Sequence, residues 1–176
     1  VSLDGLSQMS LESYRQLLGD EQILGAARNS LLLGVGCATA VMLSMAVVSW
    51  LLVQTRIRGR WLVDGLAFLP IAIPGLVLGV ALLIIYLRAP VPVYGTLWIL
   101  FIAYFTRFMP YGIRSSSLSM AQVGRELEES AHVCGASWWT TFRRGLLPLM
   151  LPGLVAGWIY IMLVSLRELS TSILLY

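Results

Sequence analysis

The sequence predicts an all-α, polytopic helical membrane protein with at least four transmembrane helices and a helix–turn–helix loop before the last. Three observations carry that prediction. The chain is 58% apolar with only 12% charged residues and a mean hydropathy of +0.82, far from the balance of soluble domains. Four stretches run without a charged side chain for about 18 residues or more, enough for a helix to cross roughly 30 Å of hydrocarbon. The charges collect between those stretches, and the basic ones are all arginine.

Residues 1–29 mix polar and apolar side chains and read as an extracytoplasmic lead-in to a single membrane domain over 1–176. Within them, 10–18 can form a short amphipathic helix with Ser10 or Ser13 as N-cap, stopped by Gly19 and Asp20. The first apolar window, 30–55, lies between Arg28 and Arg56. Its Gly34, Gly36, Ala38 and Ala40 suit close helix packing. The second window, 65–87, contains Pro70, Pro74, Gly75 and Gly79, so its helix must kink or locally unwind. Non-helical backbone at membrane depth survives only inside protein or beside a cavity. Pro70 and Pro74 are therefore candidates for a pathway as well as for a packing kink. The third window opens with Pro90 and Pro92, and its helix is expected over 93–109, just past Arg107. The fourth helix is expected over 146–166, between Arg144 and Arg167.

Arginine placement sets the orientation. Arg56, Arg58 and Arg60 crowd the first connection, and Arg114, Arg125, Arg143 and Arg144 sit in or beside the long loop over 115–145. Four spans put both on one side, which the positive-inside rule makes cytoplasmic. Residues 88–92 then face outward. The same bracketing explains the net charge of +3 and a pI near 9.1 without nucleic acid, since no basic patch with interleaved aromatics stands out.

Other chemistry finds little footing. Cys37 lies in an apolar run and Cys134 in the loop, with no C-x-x-C spacing. His132, the one histidine, cannot build a metal site. There is no Ser/His/Asp arrangement and no G-x4-G-K-[ST] phosphate loop. Neither a catalytic residue, a metal nor a cofactor is expected. The chain starts without Met and stops at Tyr176 in an apolar stretch, which reads as an internal fragment of a longer protein.

The polar run between Arg107 and Leu147 is long for a connection and points to a docking role. Residues 125–134 read as an amphipathic helix, with Leu127, Ala131 and Cys134 on one face. Arg125, Glu126, Glu128, Glu129 and His132 take the others. Gly135 can end it in a left-handed conformation, and Ser137 can cap a second helix over 138–144. Trp138 and Trp139 would sit at the membrane interface.

Within this loop Glu129, Ala131, Gly135, Leu147 and Pro148 have the spacing of E-A-A-x3-G-x9-I-x-L-P. That pattern resembles the EAA motif of ABC importer permeases, with Ser130 in place of its second residue and Gly145 in place of its isoleucine. Residues 135–144 and 165–172 are similar, more narrowly, to ferric-iron permeases. The resemblance implies a fragment of a type I ABC importer permease domain in the bacterial inner membrane. It implies that the loop docks like a ball in a socket on a separate ATPase subunit. Glu129, Ala131, Gly135, Ser137, Leu147 and Pro148 would be the coupling residues. Its partners would be an ATPase dimer, an extracytoplasmic substrate-binding protein and a second permease half, as a homodimer or fused. The chain itself would hydrolyse nothing. Ferric iron is the expected solute, with thiamine, phosphonate or polyamine as alternatives; a membrane anchor or membrane enzyme is a further one. Arg167 and Glu168, with Ser170 and Thr171, fall at the outer end of the fourth window. They form either an interfacial ion pair or the lining of an outer gate.

Overall fold

The structure, a computed structural model, describes residues 18–54, 59–88, 93, 95–123, 130–131 and 133–175. Among them every regular element is helical. Helix α1 (Glu21–Gln54) runs for 34 residues, ~51 Å at the α-helical rise. Asp20 starts it, its Oδ1 accepting the Gln22 N–H at 2.8 Å and the Ile23 N–H at 3.4 Å. The lead-in therefore does not stay separate up to residue 29: from Glu21 onward it is the first turns of α1. The expected helix over 10–18 falls almost wholly outside the described residues.

The second window is not one helix over 65–87. Helix α2 (Arg60–Phe68) passes into a 3-10 turn, Leu69–Ala72, and helix α3 (Gly75–Arg88) leaves at 105° to it. The two prolines explain the break. Neither supplies an N–H, and Ile73, which precedes Pro74, is driven to an extended φ of −96° and ψ of 121°.

Helix α4 (Leu97–Gln122) departs furthest from expectation. It neither begins at residue 93 nor ends at 109, but continues through Arg107 and Pro110 for 26 residues. Residues 115–122 thus belong to this helix, and the long loop begins only after it. Arg107 does not end the helix because it has a partner, and Pro110 is buried within it.

Helix α5 (Trp138–Thr141) joins a π-helical segment, Phe142–Leu146, which continues into helix α6 (Leu147–Leu166). A short helix α7 (Ser172–Leu175) follows. By length and composition α1 and the stretch Trp139–Leu166 can each cross a membrane, and the bent α2–α3 pair makes a third candidate. Helix α4 has the length but not the apolarity, and it is the helix with most buried positions.

Helices α1, α4 and α6 pack as a bundle. Ser49 of α1 donates to the Ile113 carbonyl of α4 at 3.1 Å, while Gly36 of α1 lies near Phe101. Rising numbers on one helix meet rising numbers on the other, so α1 and α4 run parallel. Trp158 of α6 donates to Thr39 at 3.0 Å, and Gly34 faces Ser165, so α6 runs opposite to both. Parallel α1 and α4 require the chain between them to return across the bundle. The bent α2–α3 pair therefore acts as one net crossing.

The α4–α6 contact is built on small residues. Gly153 and Gly157, one G-x-x-x-G step apart on α6, face Ser119 and Ser115, also four apart on α4. Ser115 donates to the Gly153 carbonyl at 3.0 Å. Without water to expel, such contacts rest on close van der Waals approach and interhelical hydrogen bonds. Phe108, Ile113 and Ile161 fill the centre, all essentially buried. A Cβ at Gly157 would collide with the Ser115 side chain and approach Met42. Gly157→Leu should therefore destabilise the bundle by about 1–3 kcal/mol. Gly25→Leu, with nothing within 4 Å of its Cβ position, should be near neutral. Thermal unfolding of the detergent-purified protein checks the difference.

Candidate functional site

Two features hold the residues singled out in the sequence, one at each end of the bundle. At the Leu97 end an ion pair joins Arg107 of α4 to Glu168, just past α6, with Arg107 Nε to Glu168 Oε2 at 3.0 Å. The other carboxylate oxygen lies 3.3 Å from the Thr171 N–H and 3.2 Å from its hydroxyl. That hydroxyl is also 3.4 Å from the Gly75 carbonyl, at the start of α3. Tyr104 donates to the Glu168 carbonyl at 2.8 Å, and Ser172 does so at 3.1 Å. A Cβ at Gly75 would collide with the Arg107 guanidinium, which therefore lies against that backbone.

Both helix interruptions, at residues 73–74 and after Leu166, thus meet at Arg107 and Glu168. Thr171 is fully buried, while the side chains of Arg107 and Glu168 are 26% and 9% exposed. A cavity of about 220 Å³ opens beside them, lined by Asn29, Ser30, Tyr104, Ser165 and Glu168 among others. Of the sequence candidates here, Glu168 and Thr171 come together, and Pro70 is buried in the neighbouring turn. Arg167, Ser170 and Pro74 are exposed. An ion pair ending the span is present, but the basic partner of Glu168 is Arg107 and not its sequence neighbour.

At the opposite end the loop shows its geometry around Gly135. Gly135 has a φ of 79°. The Ala136 N–H reaches back to the Ala131 carbonyl at 3.0 Å, and the Cys134 N–H to Ser130 at 3.1 Å. The 6→1 bond across a left-handed residue is a Schellman termination. Ser137 then caps the next helix, its Oγ accepting the Thr140 N–H at 3.3 Å and lying 2.9 Å from the Thr140 hydroxyl. Glu129, with residues 124–128 and His132, lies outside the described residues.

The π segment answers the proline that follows it. The Leu147 N–H bonds to the Phe142 carbonyl, five residues back. Pro148 has no N–H to give the Arg144 carbonyl, so a wider turn at this point loses no further bond. Leu147 is half-buried and Pro148 exposed. An open depression of about 370 Å³ lies between the helix end and this segment, with Ala131, Cys134, Thr141, Arg144 and Gly145 on its walls.

The chain belongs to the family described as the binding-protein-dependent transport system inner membrane component, which it matches over residues 32–176. It is 31% identical, over 86% of its length, to PhnV of Salmonella paratyphi A, named as a permease of a 2-aminoethylphosphonate transport system. It is 26% identical, over 90% of its length, to the spermidine/putrescine transport system permease protein PotC of Escherichia coli K12. It spans 59% and 60% of the lengths of those relatives. Neither name refers to ferric iron, so the narrower resemblance drawn from residues 135–144 and 165–172 gains no support from them.

Sequence reasoning passed over Arg107, Tyr104 and the Gly153–Gly157 step. The G-x-x-x-G spacing was readable as it stood; Arg107 was not, because its partner is far along the chain. At Gly135 a β-branched residue is strained by about 1–3 kcal/mol. Gly135→Val should therefore speed amide hydrogen exchange across residues 133–141, while Gly135→Asn, tolerant of left-handed φ, should leave it near the parent rate.

Proposed function

We propose that this chain is the membrane-spanning part of an ATP-driven importer subunit, coupled through its 123–148 region to a separate ATPase. The supporting observation is the family membership, together with a left-handed Gly135 at the turn of the coupling motif. Glu129, Ala131, Gly135, Ser137, Leu147 and Pro148 are the proposed coupling residues. The end of the bundle holding Arg107 and Glu168 is the proposed outer gate. An extracytoplasmic binding protein delivers the solute, and a second permease half faces this one.

For the solute we infer a small organic ion of the phosphonate or polyamine kind in place of ferric iron. The names of the relatives support this reading, and both name amine-bearing solutes. The deciding experiment measures ATP hydrolysis by the full reconstituted complex with its binding protein. Stimulation by 2-aminoethylphosphonate or spermidine and not by ferric ion supports the reading; stimulation by ferric ion alone overturns it.

The topology and the coupling role are tested separately. In a background lacking Cys37 and Cys134, a cysteine at position 90 should react with an impermeant reagent on intact cells. A cysteine at position 128 should react only after permeabilisation; the reverse pattern refutes the orientation. Glu129→Ala should keep membrane abundance and weaken ATPase pull-down and uptake. Glu126→Ala, a nearby acid outside the motif, should do neither. Equal and mild effects of the two would mean a merely solvated acidic face.

A further inference from the structure

We infer that Arg107 is a positioning residue of the transport cycle, the clasp that holds the two interrupted helices against α4 when the outer end is closed. The inference rests on the permease reading and deepens it by naming the group on which the proposed gate is built. Arg107 stands in the Leu97 half of α4 and reaches two separate parts of the chain. Its guanidinium binds Glu168 at 3.0 Å and lies on the backbone of Gly75. Glu168 carries the contact onward to Thr171, whose hydroxyl meets the Gly75 carbonyl.

The surroundings favour a movable clasp over a fixed core contact. The segments it joins, 73–74 and 167–171, both leave regular helix. They lack the continuous backbone hydrogen bonding that would hold them without side chains. Helix α7 also rests on α3 here, with Leu174 against Gly79. The pair is not sealed, since about a quarter of the Arg107 side chain is exposed, and a cavity lies beside Glu168. Water can therefore take over its hydrogen bonds when the segments part. Interrupted helices that meet beside a cavity are also where alternating-access transporters place their working parts. Gly75 fits the same arrangement, because any side chain there would displace the guanidinium.

The test uses the complete transporter, with ATPase subunit and binding protein, reconstituted in liposomes and scored per assembled complex. Wild-type hydrolysis should rise on adding binding protein loaded with 2-aminoethylphosphonate or spermidine, whichever stimulates more. Arg107→Gln and Glu168→Gln should each raise hydrolysis without binding protein by roughly fivefold and lower uptake by a similar factor, uncoupling the two. Arg107→Lys should be intermediate, because it keeps the charge and loses the planar fork. Exchanging the pair, Arg107→Glu with Glu168→Arg, should recover at least part of the wild-type ratio of stimulated to basal hydrolysis. Singles that keep the wild-type ratio overturn the clasp. So does an exchanged pair no better coupled than the singles, which would mean that the residues serve folding alone. A wild-type complex indifferent to its binding protein overturns the permease reading itself, and the clasp with it.

Discussion

The architecture depends on enclosing α4, a helix poor in apolar character, between two helices apolar enough to cross a membrane. It carries Arg107, Arg114 and the hydroxyls of Ser115, Ser116, Ser117 and Ser119. A polar group left unpaired in hydrocarbon costs several kcal/mol. The bundle meets this by enclosing α4 between α1 and α6 and giving its polar atoms partners on them. Ser117 donates to Ser49, Ser115 to Gly153, and Arg107 pairs with Glu168. Arg114 is exposed, within two turns or so of the helix end, where its long side chain can reach the interface. Ser116 is the exception: its hydroxyl is buried without a partner among the described residues. The glycines on α6 follow from the same need, since serines can bond across an interface only if the backbones approach closely.

Much of this was legible in the sequence, and the failures share one cause. Helices run through the first and fourth windows, whose apolar runs are uninterrupted, although α1 begins at Glu21, before the first window. Gly34 and Gly36 were recognisable as packing residues, and they face Ser165 and Phe101. Gly135 and Ser137 were legible because a helix end depends on local chemistry, left-handed φ and a hydroxyl cap. Helix α4 was not. The expected helix passes Arg107 but stops short of Pro110, and Glu168, the counter-charge that lets Arg107 sit within a longer packed helix, lies far away in sequence. Proline misled at Pro110 but not at Pro70 and Pro74, where the expected break is present. Pro70 and Pro74 break a helix, whereas Pro110 sits inside one, and packing around each decides which occurs.

The π segment gives the stretch from Trp138 to Leu166 a particular mechanical character. A proline at position 148 would ordinarily kink a helix. Here the Leu147 N–H reaches the Phe142 carbonyl, and the wider turn absorbs the proline within a continuous helical path. Loop and bundle are therefore joined by a helix rather than by a hinge of coil. The Schellman turn at Gly135 and the Ser137 cap fix the direction in which the preceding helix enters it. On the proposed reading, a displacement imposed on the loop by an ATPase is carried into α6 as motion of a rod.

Where that motion can emerge follows from the packing. Along the bundle α6 is held to α4 through Gly153 and Gly157 and to α1 through Gly34 and Thr39. Side chains interlocked at that spacing shift as a unit, because close-packed interfaces do not deform gradually. The places with fewer regular backbone bonds lie past Leu166 and around Pro74. Both are held chiefly by the side chains of Arg107, Glu168, Thr171 and Tyr104. On the same reading, a displacement of α6 imposed from the loop end is expressed at that contact. The ion pair stands where regular backbone structure is interrupted, and on the proposed reading its strength sets how readily the far end opens.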